Sequence, residues 1–253
     1  MALDVVDLRS FYASALGEVA RRYIGRIVVA RWDNVAGLSI AGIGFAPPFL
    51  ELVGDAPLRR LALMPAAQGV VNWPTEGVTS SVLVDTGLLP LPDSSIDRVL
   101  VVHALEVSDQ PAGMMNEVWR VLTPGGKVMV VAPSRGGLWA RSDTTPFGQG
   151  RPYSRGQLRD LMRESNFSPV YWDEALYVPP FTRPSWLRSA AVFERIGGKL
   201  ALPGAGVHVV EATKQLYRPV MARRASLKVL PGLAPAAITP GQSGRGRQRV
   251  RDR

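Results

Sequence analysis

Short apolar segments separated by turn residues are the feature that most restricts how this chain can fold. Five of them, rich in Val, Ile and Leu, lie at positions 38–43, 61–64, 82–84, 99–104 and 127–132. Runs this short, with so few polar residues, are typical of strands buried on both faces of a parallel sheet. A helical apolar pattern at 111–122 separates the last two runs. The alternation predicts βαβ units, and therefore a doubly wound α/β fold with helices on both faces of the sheet.

Helical patterns also flank this region. Near the N-terminus, apolar residues recur at spacings of four and three, at Leu8, Tyr12, Leu16, Val19, Tyr23 and Ile27. This spacing places them on one face of a helix, which we expect to cover a sheet edge or the ligand-binding cleft. Further along, Ser154 is a suitable N-cap for a helix over 154–167. Later strands are predicted at 170–178 and 207–212, with a helical stretch near 186–196.

Composition excludes several kinds of site. The chain has 253 residues and no cysteine, so it forms neither disulfides nor thiolate metal sites. His103 and His208 are its two histidines, and a histidine-based metal site is not expected. No stretch approaches the roughly 18 apolar residues that span a bilayer. We therefore expect a cytoplasmic globular protein with no membrane span and no metal.

Most of the positive charge lies in the C-terminal tail. Residues 221–253 carry a net charge of +7, out of +9 for the whole chain. Because this tail is rich in Pro, Gly and Ala, we expect it to be disordered and to follow a helical segment at 1–34 and a folded domain at 35–220. The tail is either simply solvated or a weak electrostatic tether to an anionic partner such as RNA, DNA or a charged surface. No aromatic residue accompanies its arginines to stack on bases.

The segment 39–50 contains the main candidate for a ligand-binding turn. Gly42, Ile43 and Gly44 end the first predicted strand, and a helix is expected directly after them. Glycine allows the backbone to approach a ligand closely, and a helix N-terminus offers free N–H groups. In a doubly wound sheet, this first crossover lies beside the switch point where ligands bind. By itself, the same pattern fits an ordinary strand-to-helix turn equally well.

Two longer motifs follow the glycine turn. One runs from Asp85 through Leu89-Pro90-Leu91-Pro92-Asp93-Ser94-Ser95-Ile96-Asp97. The other is Glu117-Val118-Trp119-Arg120-Val121-Leu122, followed by Thr123-Pro124-Gly125-Gly126. Together they resemble the signature of class I S-adenosylmethionine-dependent methyltransferases, especially the small-molecule type called type 11, with Ile96 in place of the usual Phe. The resemblance covers residues 35–131, and 151–158 also look like a later helix of the family.

The resemblance implies a seven-stranded, mostly parallel sheet that binds S-adenosylmethionine across the ends of its first strands. Carried over by position, Gly42, Ile43 and Gly44 face the methionine and ribose part of the cofactor. Asp85 and Thr86 lie beside the adenine, whose exocyclic amine donates to the Asp85 carboxylate; alternatively, Asp85 only initiates a turn. His103 lies close to the sulfonium, either as a general base or as a histidine that the fold itself satisfies.

Three positions depart from the family pattern. Ile40 stands two residues before the first glycine, where the family usually has an acid, and Ala46 replaces the third glycine of the turn. Met64 stands where a second acid normally holds both ribose hydroxyls, although its side chain can still pack against the ribose or adenine. Each lost carboxylate removes charge-assisted hydrogen bonds worth about 1.5–3 kcal/mol each.

Two functions from different classes remain open. The first is methyl transfer from S-adenosylmethionine to an unidentified small molecule, beneath a loop at 141–153. The second is a methyltransferase-like scaffold that has lost catalysis and binds a protein partner. No Asn-Pro-Pro-Tyr motif follows the fourth predicted strand. Its absence argues against methylation of a nucleobase amine or a glutamine amide.

Overall fold

A seven-stranded sheet forms the centre of the fold. The computed structural model describes residues 3–54, 57–181, 190–197 and 204–216. The strands are β1 (Ser39–Gly44), β2 (Arg59–Pro65), β3 (Ser81–Val84), β4 (Ile96–Val102), β5 (Leu122–Pro133), β6 (Phe167–Ala175) and β7 (Val207–Lys214). Their order in the sheet is β3-β2-β1-β4-β5-β7-β6. Strands β1 to β5 are parallel, and β7 runs antiparallel to β5 and β6. The predicted doubly wound, mostly parallel sheet of seven strands is confirmed.

Helices lie before the sheet and within several of its connections. They are α1 (Val5–Ala13), α2 (Ala15–Arg31), α3 (Pro47–Leu50), α4 (Pro111–Val121) and α5 (Arg155–Glu164), and residues 190–197 are also helical. The predicted N-cap of α5 is confirmed: the Ser154 hydroxyl accepts from the Gln157 N–H at 3.2 Å, and the Gln157 side chain accepts from the Ser154 N–H at 3.0 Å. This reciprocal pair satisfies two backbone donors at the start of the helix.

The N-terminal pattern forms two helices, whereas the spacing predicts one. Ser14 separates them, because its backbone N–H bonds to the Phe11 carbonyl while its hydroxyl accepts from the Gly17 N–H at 3.1 Å. The predicted apolar face is buried from Leu8 to Tyr23, but Ile27 is only partly buried. A serine whose side chain caps the next helix offers the backbone an alternative to continuing the first one.

The βαβ prediction is wrong for two crossovers. Residues 66–80, between β2 and β3, and residues 85–95, between β3 and β4, form turns and loops without a helix. Both segments contain Pro and Gly, which interrupt helices. The crossover from β1 to β2 holds only the four-residue α3 and one 3-10 turn, Glu51–Val53.

Apolar side chains nevertheless cover both faces of the sheet. Ile40 of β1 belongs to the core formed with α1 and α2, whereas its neighbour Ala41 belongs to the core formed with α4 and α5. Successive residues of a strand point to opposite faces, so each inner strand contributes to both cores. The two N-terminal helices therefore supply much of the cover on one face.

Several predictions fall on other parts of the chain. The basic tail at 221–253 and the first part of the helical stretch at 186–196 lie outside the described residues. In the described ranges, no helix is long and apolar enough to cross a membrane. Within the same ranges, no group of three or more His, Asp and Glu side chains is placed to hold a metal ion.

Candidate active site

The carboxyl ends of β1 to β4 define one edge of the sheet. β1 pairs with β2 on one side and with β4 on the other. The crossovers therefore add strands in one direction up to β3 and in the opposite direction from β4 onward. In open α/β sheets, ligands bind outside the carboxyl ends of the strands at such a switch point. The residues that follow these four strand ends are therefore the ones to test as a site.

A cavity of about 670 Å³, which we call the Asp85 cavity, lies at this edge. The ends of three strands and the residues after them line it: Pro65 at the end of β2, Asp85 and Thr86 after β3, and Ala104 and Glu106 after β4. Its volume falls in the range of about 300–1,000 Å³ that is usual for small-molecule sites. Residues 150–151, from the predicted active-site loop, also line it. The structure thus brings both predicted adenine-side residues to a cavity.

Asp85 forms the turn that the sequence offered as its structural role, and it is also exposed at the Asp85 cavity. Its Oδ1 accepts from the Gly87 N–H at 2.8 Å, which makes it a turn-forming residue. The same residue is exposed at the cavity, so its other oxygen is accessible to a ligand. A turn held by its own carboxylate presents that carboxylate in a fixed position.

The family motifs hold the loop that follows Asp85. The Arg120 guanidinium donates to the Leu89 and Leu91 carbonyls, both at 2.9 Å, and to Asp93 at 2.7 Å. It also forms a two-point pair with Glu117, at 2.9 and 2.8 Å, and Glu117 in turn accepts from the Leu89 N–H at 2.8 Å. We call Arg120 and Glu117 the loop clamp. Its hydrogen bonds hold the pKa of Glu117 below its usual value.

The residues of the glycine turn do not line the Asp85 cavity. A Cβ on Gly44, whose φ is 84°, would lie 2.1 Å from the Val102 carbonyl oxygen. A Cβ on Gly42 would lie 2.4 Å from the Ala46 methyl group. These glycines are therefore required by close packing within the protein itself. Ile43, between them, is fully buried.

Met64 lies inside the protein rather than in a cavity. Its side chain is 1% exposed, and its sulfur accepts from the Val71 N–H at 3.4 Å. A carboxylate at this position would be buried without a charged partner among these contacts, which is costly. The replacement of the usual ribose-binding acid is thus matched by an apolar environment.

His103 lies at the centre of a buried chain of hydrogen bonds that we call the Tyr–His–Glu chain. Its Nε2 lies 2.8 Å from the Tyr12 hydroxyl, and its Nδ1 lies 3.1 Å from Glu106 Oε1. His103 is 0% exposed, Glu106 1% and Tyr12 7%. The Gln68 side-chain amide donates to the His103 carbonyl. His103 itself has a φ of 54°, an uncommon backbone conformation that often marks functional sites.

The partners of His103 determine where its proton lies. In the tautomer that these two contacts favour, Nδ1 donates to Glu106 and Nε2 accepts from the Tyr12 hydroxyl. Burial, together with the charge of Glu106, raises the pKa of Tyr12 well above its usual value. Tyr12 therefore remains a donor, and its hydroxyl occupies His103 Nε2. Among the described residues, the second oxygen of Glu106 has no hydrogen-bond partner.

A second, larger cavity of about 950 Å³ is lined by Tyr12. We call it the helix cavity, because α1 forms one of its walls with Arg9 and Tyr12. Phe45, Pro48 and Trp73 line it from the first two crossovers. It contains none of the predicted cofactor residues, whereas the smaller Asp85 cavity lies at the strand ends. Of the two cavities, the Asp85 cavity is therefore the one that the predicted adenine-side residues line.

Sequence reasoning missed Tyr12 and Glu106 as site residues. Tyr12 appeared only as one member of an apolar helix face, and its contact with His103 joins residues 91 positions apart. Glu106 offered a weak signal, since it follows the histidine by three residues directly after a predicted strand. No local pattern connects α1 to the end of β4, so the Tyr–His–Glu chain is a product of tertiary packing.

Comparisons with known proteins agree with this geometry. Residues 59–130 match the family model described as "Methyltransferase domain". The chain is 31% identical over 113 residues to 27-O-demethylrifamycin SV methyltransferase of Amycolatopsis mediterranei, which covers 42% of this chain and 40% of that protein. It is 35% identical over 81 residues to a "probable S-adenosylmethionine-dependent methyltransferase" of Mycolicibacterium smegmatis, over 31% of each. The chain thus spans less than half the length of these relatives.

A solved structure extends the likeness over most of the fold. An S-adenosylmethionine-dependent methyltransferase from Archaeoglobus fulgidus superposes with a TM-score of 0.54, over 81% of this chain and 96% of that one. Its sequence identity is 16%, so this match bears on the fold alone. Together with the sheet order, it shows that the described fold is that of the class I S-adenosylmethionine-dependent methyltransferases, and residues 59–130 match a methyltransferase domain.

Proposed function

We propose that this protein binds S-adenosylmethionine in the Asp85 cavity and transfers its methyl group to the hydroxyl oxygen of a small molecule. The observation that carries the proposal is the cavity itself, which lies at the strand ends with Asp85 and Thr86 on one side and Glu106 on the other. The unpartnered buried oxygen of Glu106 is a polar group for which the described residues provide no donor.

The charges around the Asp85 cavity suit a cationic ligand. Asp85, Glu106 and Asp109 line it, and Arg151 is the cation among its lining residues. S-adenosylmethionine carries positive charge on its sulfonium and its amino group, and an adenine amine that donates to a carboxylate such as Asp85. The acidic lining therefore favours this cofactor over a phosphate-bearing one.

The proposed cofactor supplies a methyl group on a sulfonium, which is an excellent leaving group. The protein then has to orient the acceptor and, if the acceptor carries a proton, to remove it. His103 can accept that proton on Nε2, because Nδ1 already donates to Glu106 and the resulting imidazolium would lie beside a carboxylate. Arg151, whose N–H donates to the Glu106 carbonyl at 2.7 Å, helps to close the cavity.

An oxygen acceptor agrees with the name of one relative. The name 27-O-demethylrifamycin SV methyltransferase gives an O-demethylated compound as the acceptor of that protein. A neutral histidine base beside a carboxylate suits an acceptor that loses a proton, such as a hydroxyl group. We therefore propose a hydroxyl acceptor for this protein as well.

A non-catalytic binding protein is the second candidate. Two observations favour it: the glycine turn is packed against Val102 and Ala46, and Met64 is buried where the family has a carboxylate. Under this alternative, the Tyr–His–Glu chain only stabilises the docking of α1. The two candidates differ in whether the purified protein binds the cofactor.

Calorimetric titration with S-adenosylmethionine and with its demethylated product tests the proposal. Asp85→Asn is the informative variant, since an amide keeps the turn to Gly87 but no longer offers an anionic acceptor. We expect it to weaken binding about tenfold, which corresponds to about 1.4 kcal/mol. Asp109→Asn removes a charge from the same cavity and is the matched control, with an expected effect below threefold. Wild-type protein that gives no saturable heat at millimolar cofactor would contradict the proposal and leave the non-catalytic candidate.

A further inference from the structure

We infer that Tyr12 occupies the position of the acceptor, and that the acceptor is a small phenol-type compound whose aromatic hydroxyl replaces the Tyr12 hydroxyl on His103. This inference rests on the proposed methyl transfer and specifies its substrate class. Its starting point is Tyr12, whose hydroxyl is bonded to Nε2 of His103 in the Tyr–His–Glu chain.

The Tyr12 hydroxyl blocks the proposed base. It lies 2.8 Å from His103 Nε2, the nitrogen that has to accept a proton from an acceptor. The other nitrogen is held by Glu106 at 3.1 Å, so His103 has no second free position. Any acceptor that uses His103 as its base must therefore take the place of this hydroxyl. Tyr12 belongs to α1, a nine-residue helix outside the sheet, so its side chain can be replaced without breaking a strand.

The walls around the Tyr12 ring are shaped for a flat aromatic group. Phe45 stacks on it with a centroid distance of 5.7 Å and an interplanar angle of 18°, and Phe49 meets it edge-on at 5.6 Å. Phe147 packs on the imidazole of His103 at 4.6 Å. These three rings come from the first crossover and from the loop after β5, not from α1. They would remain to hold another aromatic ring, which prefers such stacked and edge-on contacts.

The position of Tyr12 between the two cavities gives the acceptor a route. Tyr12 lines the helix cavity, while Gln68 and Glu106 line the Asp85 cavity, and His103 is bonded to all three residues. A compound that enters through the helix cavity and displaces the Tyr12 side chain would reach His103 Nε2, and Gln68 and Glu106 connect the same histidine to the Asp85 cavity.

Proton affinity favours a phenol over an aliphatic alcohol. A phenol has an ordinary pKa of about 10, whereas an aliphatic hydroxyl is a much weaker acid, with a pKa near that of water. At the same buried position, a phenol therefore gives up its proton more readily than an aliphatic alcohol does. In the proposed step, the phenolic oxygen forms the bond to the methyl carbon and its proton goes to His103 Nε2. The carbon–sulfur bond breaks, and its electron pair stays on the sulfur as a neutral thioether.

A binding experiment separates an acceptor site from a structural tyrosine. Tyr12→Ala, wild-type protein and Tyr23→Ala are titrated by calorimetry with 4-methylphenol, which reproduces the tyrosine side chain, and with 4-methylcyclohexanol, its saturated counterpart. Tyr23 is a matched control, because it is equally buried, at 8%, on the neighbouring helix α2. We expect Tyr12→Ala to bind 4-methylphenol at least ten times more tightly than the other two proteins do, and at least three times more tightly than it binds 4-methylcyclohexanol. Equal binding by Tyr12→Ala and Tyr23→Ala, or equal binding of the two probes, overturns the inference.

Tyr12→Leu replaces Tyr12→Ala if circular dichroism shows that the alanine variant is unfolded, since leucine fills part of the ring space and leaves the hydroxyl end open. The same expectations and the same contradicting results apply to it.

Turnover then separates this inference from the proposed function on which it rests. With labelled S-adenosylmethionine, we expect the wild type to methylate the oxygen of 4-methylphenol, and Tyr12→Ala to do so with a severalfold higher kcat/KM. Methyl transfer to 4-methylcyclohexanol or aniline but not to 4-methylphenol overturns the phenol inference and leaves methyl transfer standing. Absence of cofactor binding overturns the proposed function, and the 4-methylphenol titration still decides whether Tyr12 fills a phenol site.

Discussion

Replacing Arg120 by methionine tests whether the loop clamp stabilises the fold and the Asp85 cavity. Methionine keeps an unbranched apolar stem but removes the guanidinium and its five hydrogen bonds, two to Glu117, two to the carbonyls of Leu89 and Leu91, and one to Asp93. The variant therefore isolates the polar contribution of the clamp.

The exposures of the partners set the magnitude. Asp93 is 77% exposed, so its pair with Arg120 contributes little, about 0–1 kcal/mol. Glu117 is 15% exposed, and leaving it and the two carbonyls without their charged donor costs about 1.5–3 kcal/mol. We expect a total loss of about 3 kcal/mol, or a Tm lower by about 6–12 °C for a chain of this length.

Urea and thermal denaturation at pH 7 measure this loss, with Arg159→Met as the matched control. Arg159 also lies beside an acid, Asp160, but both side chains are at least half exposed, so its replacement should cost no more than about 0.5 kcal/mol. If Arg120→Met and Arg159→Met have the same stability, the structural reasoning about the clamp is wrong. Cofactor affinity should also fall in Arg120→Met, because the clamp holds the loop after Asp85.

The pH dependence of the clamp provides a second check. Arg120 lowers the pKa of Glu117 below its ordinary value of 4.5. A group whose pKa is lower in the folded state stabilises the fold above the unfolded pKa, and this contribution is lost as the pH falls through the folded pKa. The stability difference between wild type and Arg120→Met should therefore be largest above pH 4.5 and shrink below it. A difference that stays constant down to pH 3 would exclude the pair as its source.

Three further predictions concern the turn, a buried histidine and a cap. Gly44→Ala should cost at least about 2 kcal/mol more than Gly54→Ala, because both glycines have a positive φ but only the Cβ at 44 meets a backbone oxygen; equal denaturation midpoints would contradict this. Burial lowers the pKa of His208 below 6.5, so stability should fall as the pH drops below 6.5, and NMR titration of the ring should show the lowered pKa directly. Ser154→Ala should cost about 1 kcal/mol by urea denaturation, and no loss would mean that the cap is not formed in solution.

The inner strands could be predicted from the sequence because a strand buried on both faces is a continuous apolar run. β4 and β5 are covered on both faces, so Val99–Val102 and Val128–Val131 are uninterrupted apolar runs. The predicted starts and ends differ from the observed ones by a few residues. β5 begins at Leu122 rather than at Lys127, since Leu122 pairs with Ile96 before the Pro-Gly-Gly turn bulges out of register.

The sequence identified the motif residues, but it did not predict which residues they contact. Sequence placed Glu117 and Arg120 in a family signature, yet it gave no indication that they bind the loop after Asp85. In the same way, the glycine turn was located correctly at the end of β1. Whether a ligand or the protein itself fills the space beside Gly44 depends on where β4 lies, and that is a property of the assembled sheet.

The sequence by itself thus determined that the sheet is doubly wound and mostly parallel, and it located the strand ends at which a ligand would bind. Only the tertiary structure decided that α1 brings Tyr12 onto His103, that Met64 is buried, and that the accessible cavity lies beside Asp85 rather than at the glycine turn. The physical reason is the range of the interactions. Strand burial and helix capping leave a periodic or local trace in the sequence, whereas a hydrogen bond between residues 91 positions apart depends on how two distant elements pack.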